Sequence, residues 1–580
     1  MTDTIDGATP ASRLAGDPDA LAGEYDLVIV GSGYGGAITA ARLAVANASA
    51  GAKLRIALLE RGAEHPTGTF PETQQATAMH VCSSMNPLGL FHILRNDDID
   101  VIQGNGLGGT SLMNFNVAIR PDREVFLHSW ARPFREMVER DPSGIGELRE
   151  FFERAEAMLG AVRFADREPM ARVDVFRKIA EEAGVTATSL NLTVSTEDRV
   201  TRYGVPRKPC PLHGGDGTGD NSFSKNTLMT NYLPMARHFG AELYTCVEVD
   251  RVRELPDGRW QITGLRRSGS RGMTTTRVEL SARRVVLSAG CLGSNGILMR
   301  SRADGLDISP RLGKNFSGNG DSFAIAYNTD HRTDTQAWST TDGPPRCDLR
   351  CGPSINVAMR FGADQPDLRK RFTVEDLSVP RALQDAFRIG LMGLAGLKYP
   401  DTKPARVNRW RKDVQWNTDG AMNHSLGFLI MVHDNSDGEL FLRKDGSVGV
   451  EWPGAPAERM YRDVDARLKQ AIEAIGGTYI KNPWWTNSIF GNQLLTAHPI
   501  GGCAMSDNVD GGVVDHAGRV FRADGRVHDG LYVIDGSVLP RAIGVNPFLT
   551  ISMFAERAAD EVRAEMGLPR YDPATERDDY

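Results

Sequence analysis

The sequence lacks the features that mark several common functional classes. No run of basic residues stands out, and 67 Lys and Arg against 74 Asp and Glu leave a formal net charge of -7, so the chain offers little attraction to nucleic-acid phosphates. The seven cysteines form no Cys-x-x-Cys pair and no Cys/His spacing typical of zinc ligands. We therefore expect no nucleic-acid partner, no metal site and a reducing compartment.

Signals for export and membrane insertion are also missing. Residues 1–23 are polar and lack the cationic start and apolar stretch of a signal peptide. The most apolar segment, Ala386 to Leu397, is too short to span a bilayer and contains Arg388. We expect it to form a buried helix or a loop at a substrate site. These absences predict a cytoplasmic protein with a flexible leader over residues 1–23 and no integral membrane segment.

The N-terminal part of the chain has the pattern of a β-α-β unit. Tyr25–Val30 is a short apolar run with β-branched residues and predicts a buried parallel strand. Ala37–Asn47 predicts a helix, and Leu54–Glu60 predicts the second strand. In such a unit, the turn between the first strand and the helix is where a nucleotide binds.

That turn carries a Gly-x-Gly-x-x-Gly motif formed by Gly31, Gly33 and Gly36. The first glycine permits the tight turn, the second lets a pyrophosphate approach the backbone, and the third brings helix and strand together. The helix N-terminus offers N–H groups to the phosphates, and Glu60 can accept hydrogen bonds from ribose hydroxyls. The motif predicts a dinucleotide site but does not separate FAD from NAD.

Later segments return to the same α/β layer. Ser281–Gly290 and Leu531–Asp535 predict further strands, and the periodicity of Phe548–Glu565 predicts a long final helix next to Pro547. The predicted nucleotide-binding domain is therefore discontinuous in sequence.

A different pattern fills the region from Ser317 to about Lys481. Apolar and polar residues alternate there, as in Ser425–His433 and Glu439–Arg443, which is typical of an antiparallel sheet. The predicted fold is α/β plus α+β, with a Rossmann-like dinucleotide-binding domain interleaved with an antiparallel-sheet, substrate-binding domain.

A second glycine cluster, Gly104 to Ser111, allows two interpretations. It can be a plain turn or a stretch of backbone that lies against a flat ligand, and its residues alone leave both open.

Five motifs in this order resemble the glucose-methanol-choline (GMC) oxidoreductase family, and the chain looks most like its bacterial cholesterol oxidase branch. They are GSGYGG at 31–36, QGNGLGGTSLMN at 103–114, SAGCLGS at 288–294, HPIGGC at 498–503 and VIDGSVLPRAIGVNPFLTISMFAER at 533–557. The resemblance implies an FAD-binding domain over residues 24–120, 200–316 and 490–570. The substrate-binding domain would then comprise residues 121–199 and 317–489.

The resemblance also implies which residues contact FAD. We expect the cofactor to be bound without a covalent bond, because no match to the histidine that some family members use for attachment is evident. A helix that begins at Phe548 would stabilise the anionic reduced flavin through its N-terminus. The expected cofactor contacts are Gly31, Gly33, Tyr34, Gly35, Gly36, Glu60, Gly106, Gly109, Thr110, Asn114, Val249, Asp535, Gly536, Asn546, Pro547 and Phe548.

Alcohol oxidation needs a hydride acceptor, here flavin N5, and a group that takes the hydroxyl proton. The resemblance identifies His498, the only one of twelve histidines within HPIGGC, as that proton acceptor. Asn546 matches the second active-site position of the family. It cannot act as a base near neutral pH, so it would orient the hydroxyl and the flavin. Without the resemblance, an asparagine directly before a helix is better explained as an N-cap.

Glu375, in the segment RFTVEDLSVP, is a third catalytic candidate. Its position relative to Pro380 is similar to that of the cholesterol oxidase carboxylate that moves a proton from C4 to C6 during double-bond isomerisation. A solvated surface glutamate is the alternative. In an apolar cavity its pKa would rise and make it a usable base.

The substrate is expected to be a small molecule, namely a hydrophobic alcohol with a bulky body of the sterol or 3-hydroxysteroid type. Oxygen or another compound would accept the electrons. That activity belongs to steroid or lipid metabolism. Apolar residues that could line its pocket are Met85, Leu88, Leu90, Phe91, Trp484 and Trp485. Two alternatives are a GMC dehydrogenase that oxidises another lipid or aromatic alcohol with a non-oxygen acceptor, and a flavin-dependent isomerase without net redox chemistry.

Overall fold

The computed structural model describes residues 13–336, 350–398, 400–455, 458–481 and 494–570. Two large sheets organise this part of the chain, one mixed and one antiparallel. Helices cover the mixed sheet, and a large cavity extends between the two sheets.

The mixed sheet has eight strands and a parallel centre. Strand Glu24–Val30 lies between Ile56–Leu59 and Thr274–Leu287, and the three run parallel. Its middle residues are fully buried, because helices cover both faces of a parallel sheet and leave no polar side. The other strands of this sheet are Glu242–Tyr244, Val247–Glu254, Trp260–Ser268, Arg519–Phe521 and Val527–Val533.

The long strand Thr274–Leu287 changes neighbour along its length. Its first part pairs antiparallel with Trp260–Ser268, and its last residues pair parallel with Val527–Val533. Segments that are distant in sequence therefore end at one sheet edge, where the carboxyl ends of parallel strands form the usual ligand crevice of α/β proteins.

The second sheet has six strands, and every pair of neighbours is antiparallel. In spatial order the strands are Thr478–Lys481, Ser322–Tyr327, Leu426–Val432, Phe372–Leu377, Val357–Phe361 and Ala187–Ser189. The central strands Leu426–Val432 and Phe372–Leu377 are almost entirely buried, so the middle of this sheet lies inside the molecule rather than at its surface.

Smaller pairings complete the strands of the described chain. They are Phe91–Leu94, Ile99–Gly104 and Leu494–Thr496; Val117–Ala118, Ala161–Arg163 and Asn191–Thr193; Arg199–Val200 with Pro206–Arg207; and Glu439–Leu442 with Val448–Glu451.

The α-helices of the described chain are numbered in chain order. They are α1 Tyr34–Ser49, α2 Gln74–Met79, α3 Arg123–Leu127, α4 Arg132–Glu139, α5 Leu148–Leu159, α6 Ala171–Glu182, α7 Tyr232–His238, α8 Gly290–Ala303, α9 Gln384–Lys398, α10 Pro404–Val414, α11 Arg459–Ala474 and α12 Phe548–Glu565.

Helices α1 and α12 pack against each other and share a buried ion pair. Arg42 donates two hydrogen bonds to Glu556, at 2.8 and 2.9 Å, and both side chains are buried. The Tyr232 hydroxyl donates a third, at 2.6 Å, from α7. A buried carboxylate needs such compensation, because desolvation would otherwise destabilise the fold. The first and last helices are thereby joined by charge as well as by packing.

The structure confirms most predicted elements. The strand predicted at Tyr25–Val30 is Glu24–Val30, the helix predicted at Ala37–Asn47 lies within α1, and the final helix has the predicted bounds. One strand differs in its partner: Glu439–Leu442 forms its own hairpin with Val448–Glu451 rather than joining the six-stranded sheet. The alternation of apolar and polar residues predicts a strand, but it does not predict which strand pairs with it.

The apolar segment Ala386–Leu397, which was expected to form a buried helix or a loop, lies in helix α9. Within the described residues no helix is long and apolar enough to cross a membrane. The division into interleaved FAD-binding and substrate-binding domains, with its boundaries, stays a prediction.

Candidate active site

A single cavity of about 700 Å³ contains most of the predicted site residues. Part of its wall comes from the carboxyl edge of the mixed sheet, including the glycine loop after strand Glu24–Val30. Another part is the face of the antiparallel sheet, which contributes apolar side chains such as Phe323, Ile325 and Phe428. The cavity therefore joins a nucleotide-type crevice to an apolar chamber.

Of the three motif glycines, only Gly33 has open space where a side chain would begin. Gly31 has φ +99°, and a Cβ there would lie 2.2 Å from the Ser288 carbonyl oxygen. A Cβ on Gly36 would lie 1.9 Å from the Gly31 oxygen, so this residue brings helix and strand together. Around a Cβ on Gly33, by contrast, there is nothing within 4 Å. Gly33 lines the cavity, and Gly36 does not.

The N-terminus of α1 faces this space without a capping side chain. Its first turn carries no acidic residue, and its N-cap residue, Gly33, provides no side-chain hydrogen bond. Glu60 lines the same part of the cavity and accepts hydrogen bonds from Ser32 Oγ at 2.6 Å and from the Gly62 N–H at 2.8 Å. A pyrophosphate on the helix end and a ribose against a held carboxylate fit these donors and acceptors.

Tyr34 connects three segments that were predicted to contact the cofactor. Its ring stacks on Phe548, with centroids 4.9 Å apart and planes inclined by 18°. Asn114 Nδ2 donates a hydrogen bond to its hydroxyl at 2.7 Å. Burial raises the pKa of the Tyr34 phenol, so the phenol stays neutral. The glycine loop, the second glycine cluster and the start of α12 are thus brought together around one ring.

The second glycine cluster contributes backbone to the cavity wall. Gly109, Thr110 and Asn114 line the cavity, and Thr110 Oγ1 accepts a hydrogen bond from the Gly104 N–H at 3.1 Å. Gly106 does not line it, because it packs against Ala63 and His65. Part of this cluster therefore faces the cavity, and its contact with a flat ligand stays a prediction.

The remaining residues that were expected to contact the cofactor lie in the same cavity. Asp535 and Gly536 line it, and so do Val249, Pro547 and Phe548. The Asp535 carboxylate accepts hydrogen bonds from Gly290 N, Ser294 Oγ, Ser537 N and Ser537 Oγ. The N-terminus of α12 again has no side-chain cap and no acidic first turn. Among the described residues, no group of three or more His, Cys, Asp and Glu side chains could hold a metal ion.

His498 lines the cavity and pairs with a carboxylate that the sequence analysis missed. Its Nδ1 lies 2.7 Å from Asp321 Oδ1, and its backbone N–H donates to Thr496 Oγ1 at 2.8 Å. Asp321 is 3% exposed. It follows a glycine-rich turn just before strand Ser322–Tyr327, and 177 positions separate it from His498. Within the described chain, His498 Nε2 makes no hydrogen bond, so it is open to a ligand.

Asn546 also lines the cavity, on a loop that Asn319 holds in place. The Asn319 side chain accepts hydrogen bonds from the Ile543 and Gly544 N–H groups, at 2.9 and 3.3 Å, and donates to the Val545 oxygen at 2.7 Å. Asn546 does not cap α12 with its side chain. The structure therefore removes the N-cap explanation that the sequence left open.

Glu375 is buried behind Asn546 rather than on the cavity wall. It lies in strand Phe372–Leu377 and is fully buried, and Asn546 Nδ2 donates to its Oε2 at 3.3 Å. Burial raises the pKa of Glu375 from its ordinary value to about 8, and the charges of Asp376 and Asp321 add to this. It is no solvated surface acid, and Asn546 stands between it and the chamber.

The apolar chamber is closed on one side by α9. Ala386, Phe387 and Leu391 line it, while Ile389 on the same helix is 55% exposed. Of the apolar residues expected from the sequence, Phe91 lines the cavity and Leu90 is buried, whereas Met85 is 69% exposed. Trp484 and Trp485 lie outside the described residues.

Two family models, each described as GMC oxidoreductase, match residues 25–319 and 458–555. A cholesterol oxidase of Mycobacterium tuberculosis is 26% identical, over 92% of this chain and 90% of that protein.

Less similar proteins are named as oxidases of other alcohols. A long-chain-alcohol oxidase of Arabidopsis thaliana is 23% identical, over 91% of this chain and 66% of that protein. The structure of a fungal aryl-alcohol oxidase superposes with a TM-score of 0.59 at 15% identity, covering 94% of this chain and all of the other. The last comparison concerns the fold alone.

Proposed function

This chain belongs to the GMC oxidoreductase family, and on that premise we propose that it oxidises the hydroxyl of a bulky hydrophobic alcohol, such as a 3-hydroxysteroid, to a ketone. Members of the family are flavoproteins that use FAD and act on alcohols, so this chain is an FAD-dependent oxidoreductase acting on CH–OH donors. The observation that carries the proposal is that His498 and Asn546 line one cavity together with the glycine loop and an apolar chamber.

The proposed FAD contacts follow from the groups that face the cavity. Gly33 and the α1 N-terminus would hold the pyrophosphate, Glu60 a ribose, and the N-terminus of α12 the pyrimidine edge of the flavin. When bound, FAD supplies the acceptor for the hydride of the alcohol.

We propose that FAD is held without a covalent bond. Acid precipitation of the purified enzyme should release free flavin into the supernatant. Flavin that stays with the precipitated protein would contradict this.

His498 is proposed to take the hydroxyl proton. Its Nε2 is open toward the cavity and its Nδ1 is engaged by Asp321, so a substrate hydroxyl can hydrogen-bond only to the free nitrogen. A neutral imidazole is the usual side chain for this task near neutral pH. Transfer of the O–H proton to Nε2 leaves the alcohol oxygen ready to form the carbonyl.

Asn546 is proposed to orient the hydroxyl. Its Oδ1 is buried, and the described residues provide no hydrogen-bond partner for it, while its Nδ2 is directed to Glu375. A substrate hydroxyl that donates its hydrogen to His498 Nε2 cannot also donate to Asn546 Oδ1, but its oxygen can accept the second hydrogen of Asn546 Nδ2. Asn546 therefore contributes position rather than proton transfer.

The steroid-like substrate is favoured by the chamber and by the cholesterol oxidase relatives. Its wall has few polar groups and consists of apolar side chains from the antiparallel sheet, from residues next to its strands and from α9: Phe323, Ile325, Leu377, Val379, Leu383, Phe387, Leu391, Met422, Leu426 and Phe428. Such a wall suits a rigid hydrocarbon body that leaves one hydroxyl at His498. A long-chain alcohol is the second candidate, because a plant relative is named for that activity.

An anaerobic flavin-bleaching assay tests the proposal. The holoenzyme is mixed with 3-hydroxysteroids, long-chain alcohols, aryl alcohols and sugars, and flavin absorbance is followed before and after air is admitted. Steroids should bleach the flavin fastest, and recovery in air separates an oxidase from a dehydrogenase. If no alcohol bleaches the flavin, or if His498→Ala bleaches as fast as the parent, alcohol oxidation through His498 is rejected.

A further inference from the structure

We propose that Asp321 is a positioning residue for the reaction, because it holds His498 in the tautomer that carries a proton on Nδ1 and a free lone pair on Nε2. This inference rests on the proposed function but makes a claim about the resting protein that can be tested without any substrate.

Asp321 can interact with the His498 imidazole only as a hydrogen-bond acceptor. An ionised carboxylate accepts hydrogen bonds and cannot donate one, so at 2.7 Å from Asp321 Oδ1 the His498 Nδ1 must carry the hydrogen. The other carboxylate oxygen accepts from Thr496 Oγ1 at 2.9 Å and from the Ala497 N–H at 3.1 Å. These donors on the His498 strand and loop fix the carboxylate, so the imidazole meets an acceptor that cannot rotate away.

One short turn positions both active-site side chains. It spans residues 317–321, and its Asn319 holds the loop before Asn546 while its Asp321 holds His498. Gly320 has φ +67°, and a Cβ there would lie 2.1 Å from the Val432 oxygen, so the turn is pressed against the antiparallel sheet. A shift of this turn would move both groups together.

The Asp321–His498 pair would also stabilise the positive charge that forms on His498 during the reaction. When a substrate O–H bond breaks and the proton forms a new N–H bond at Nε2, His498 becomes an imidazolium cation. That cation then lies against the Asp321 carboxylate in a largely buried place, where an opposite charge is worth more than in water.

Two other carboxyl groups lie near the pair. Glu375 is behind Asn546 and is mostly protonated at neutral pH, because burial raises its pKa to about 8. Asp434 lies under the turn, where it accepts hydrogen bonds from Ser317 Oγ and the Gly320 N–H, and burial raises its pKa to about 6. Neither has a hydrogen bond to His498, so Asp321 is the carboxylate that sets the imidazole tautomer.

The test compares Asp321→Asn with the exposed Asp463→Asn in the holoenzyme, labelled with isotopic nitrogen at histidine. NMR of the histidine nitrogens should show His498 protonated on Nδ1 in the parent and in Asp463→Asn. In Asp321→Asn the amide can donate to Nδ1, which favours the proton on Nε2. Flavin reduction by the best alcohol should then fall by roughly 10²–10⁴-fold, by analogy with tautomer loss in a serine-protease triad.

The results separate the possible failures. A parent His498 protonated on Nε2, or an Asp321→Asn variant with unchanged tautomer and unchanged reduction rate, overturns the inference. If Asp321→Asn does not fold, the parent spectrum still decides which nitrogen carries the proton. If no alcohol reduces the parent, the proposed function fails while the tautomer result stands.

Discussion

Asn546 donates a hydrogen bond from Nδ2 to Glu375 Oε2 over 3.3 Å, which links an amide on the cavity wall to a carboxyl group that solvent does not reach. The other oxygen of Glu375 and the carbonyl oxygen of Asn546 have no hydrogen-bond partner among the described residues. One amide hydrogen bond does not compensate for burying a full charge, which is why the carboxyl stays protonated to an unusually high pH.

The first prediction concerns stability and pH. The pKa of Glu375 is raised from 4.5 to about 8 in the folded protein, so between these values the folded state binds a proton that the unfolded state has lost. Stability contributed by this group is complete below about pH 4.5 and declines as pH rises to about 8, by up to about 1.4 kcal/mol per pH unit. Glu375→Gln should remove that decline.

Thermal unfolding of parent and Glu375→Gln at several pH values between 5 and 8 provides the measurement, with the exposed Glu451→Gln as control. The advantage of Glu375→Gln should grow as pH increases. Parallel melting-temperature curves for parent and variant would show that Glu375 does not titrate in this range.

The second prediction concerns the product. If Glu375 is the base for double-bond isomerisation, Glu375→Gln should oxidise a 5-ene-3-hydroxysteroid but release the unconjugated 5-ene-3-one. A carboxyl with a pKa near 8 exchanges protons readily near neutral pH, although Asn546 must move aside for it to reach the steroid. Product chromatography and ultraviolet absorbance of the conjugated enone distinguish the two ketones. An unchanged product pattern excludes Glu375 from the chemistry.

The third prediction separates two glycines of the same loop. A methyl group at Gly33 meets no protein atom within 4 Å, whereas one at Gly36 would lie 1.9 Å from the Gly31 oxygen. Gly33 has an ordinary extended backbone, so Gly33→Ala should fold like the parent but bind FAD at least about tenfold more weakly. Gly36→Ala should instead lower the yield of folded protein. Flavin content and circular dichroism of both variants check this, and full flavin content in a well-folded Gly33→Ala would place the pyrophosphate elsewhere.

The fourth prediction compares a buried with an exposed ion pair. Glu556→Gln removes the carboxylate that pairs with the buried Arg42 guanidinium and should destabilise the protein by about 3–5 kcal/mol. The Arg459–Asp463 pair has side chains that are 85% and 57% exposed, so Asp463→Asn should cost less than about 0.5 kcal/mol. Denaturant unfolding of the two variants gives both values. Equal, small effects would mean that Arg42 finds another partner or water.

The local parts of the fold were predictable from the sequence. Tyr25–Val30 has no polar alternation because both faces are covered, and the final helix was bounded correctly because Pro547 marks its start and its apolar periodicity runs unbroken. The Gly-x-Gly-x-x-Gly motif of Gly31, Gly33 and Gly36 is complete within six consecutive residues. Each of these signals lies within one element.

Contacts between distant elements were not predictable. Asp321 lies in a short glycine-rich turn that resembles any loop, and only the fold brings it to His498. Asn319 likewise acts on a loop more than 200 residues away. The strand Glu439–Leu442 was recognised, but its partner depends on the order of strands in space, which alternation does not encode.

The ion pair between Arg42 and Glu556 has a consequence for how the protein is made. Synthesis proceeds from the N-terminus, so α1 leaves the ribosome long before α12, and Arg42 must wait for its carboxylate partner through most of translation. Tyr34 also waits for Phe548, its stacking partner. The proposed cofactor site is therefore completed as a late, long-range step, and a nascent chain that stops before residue 548 should be unable to retain flavin.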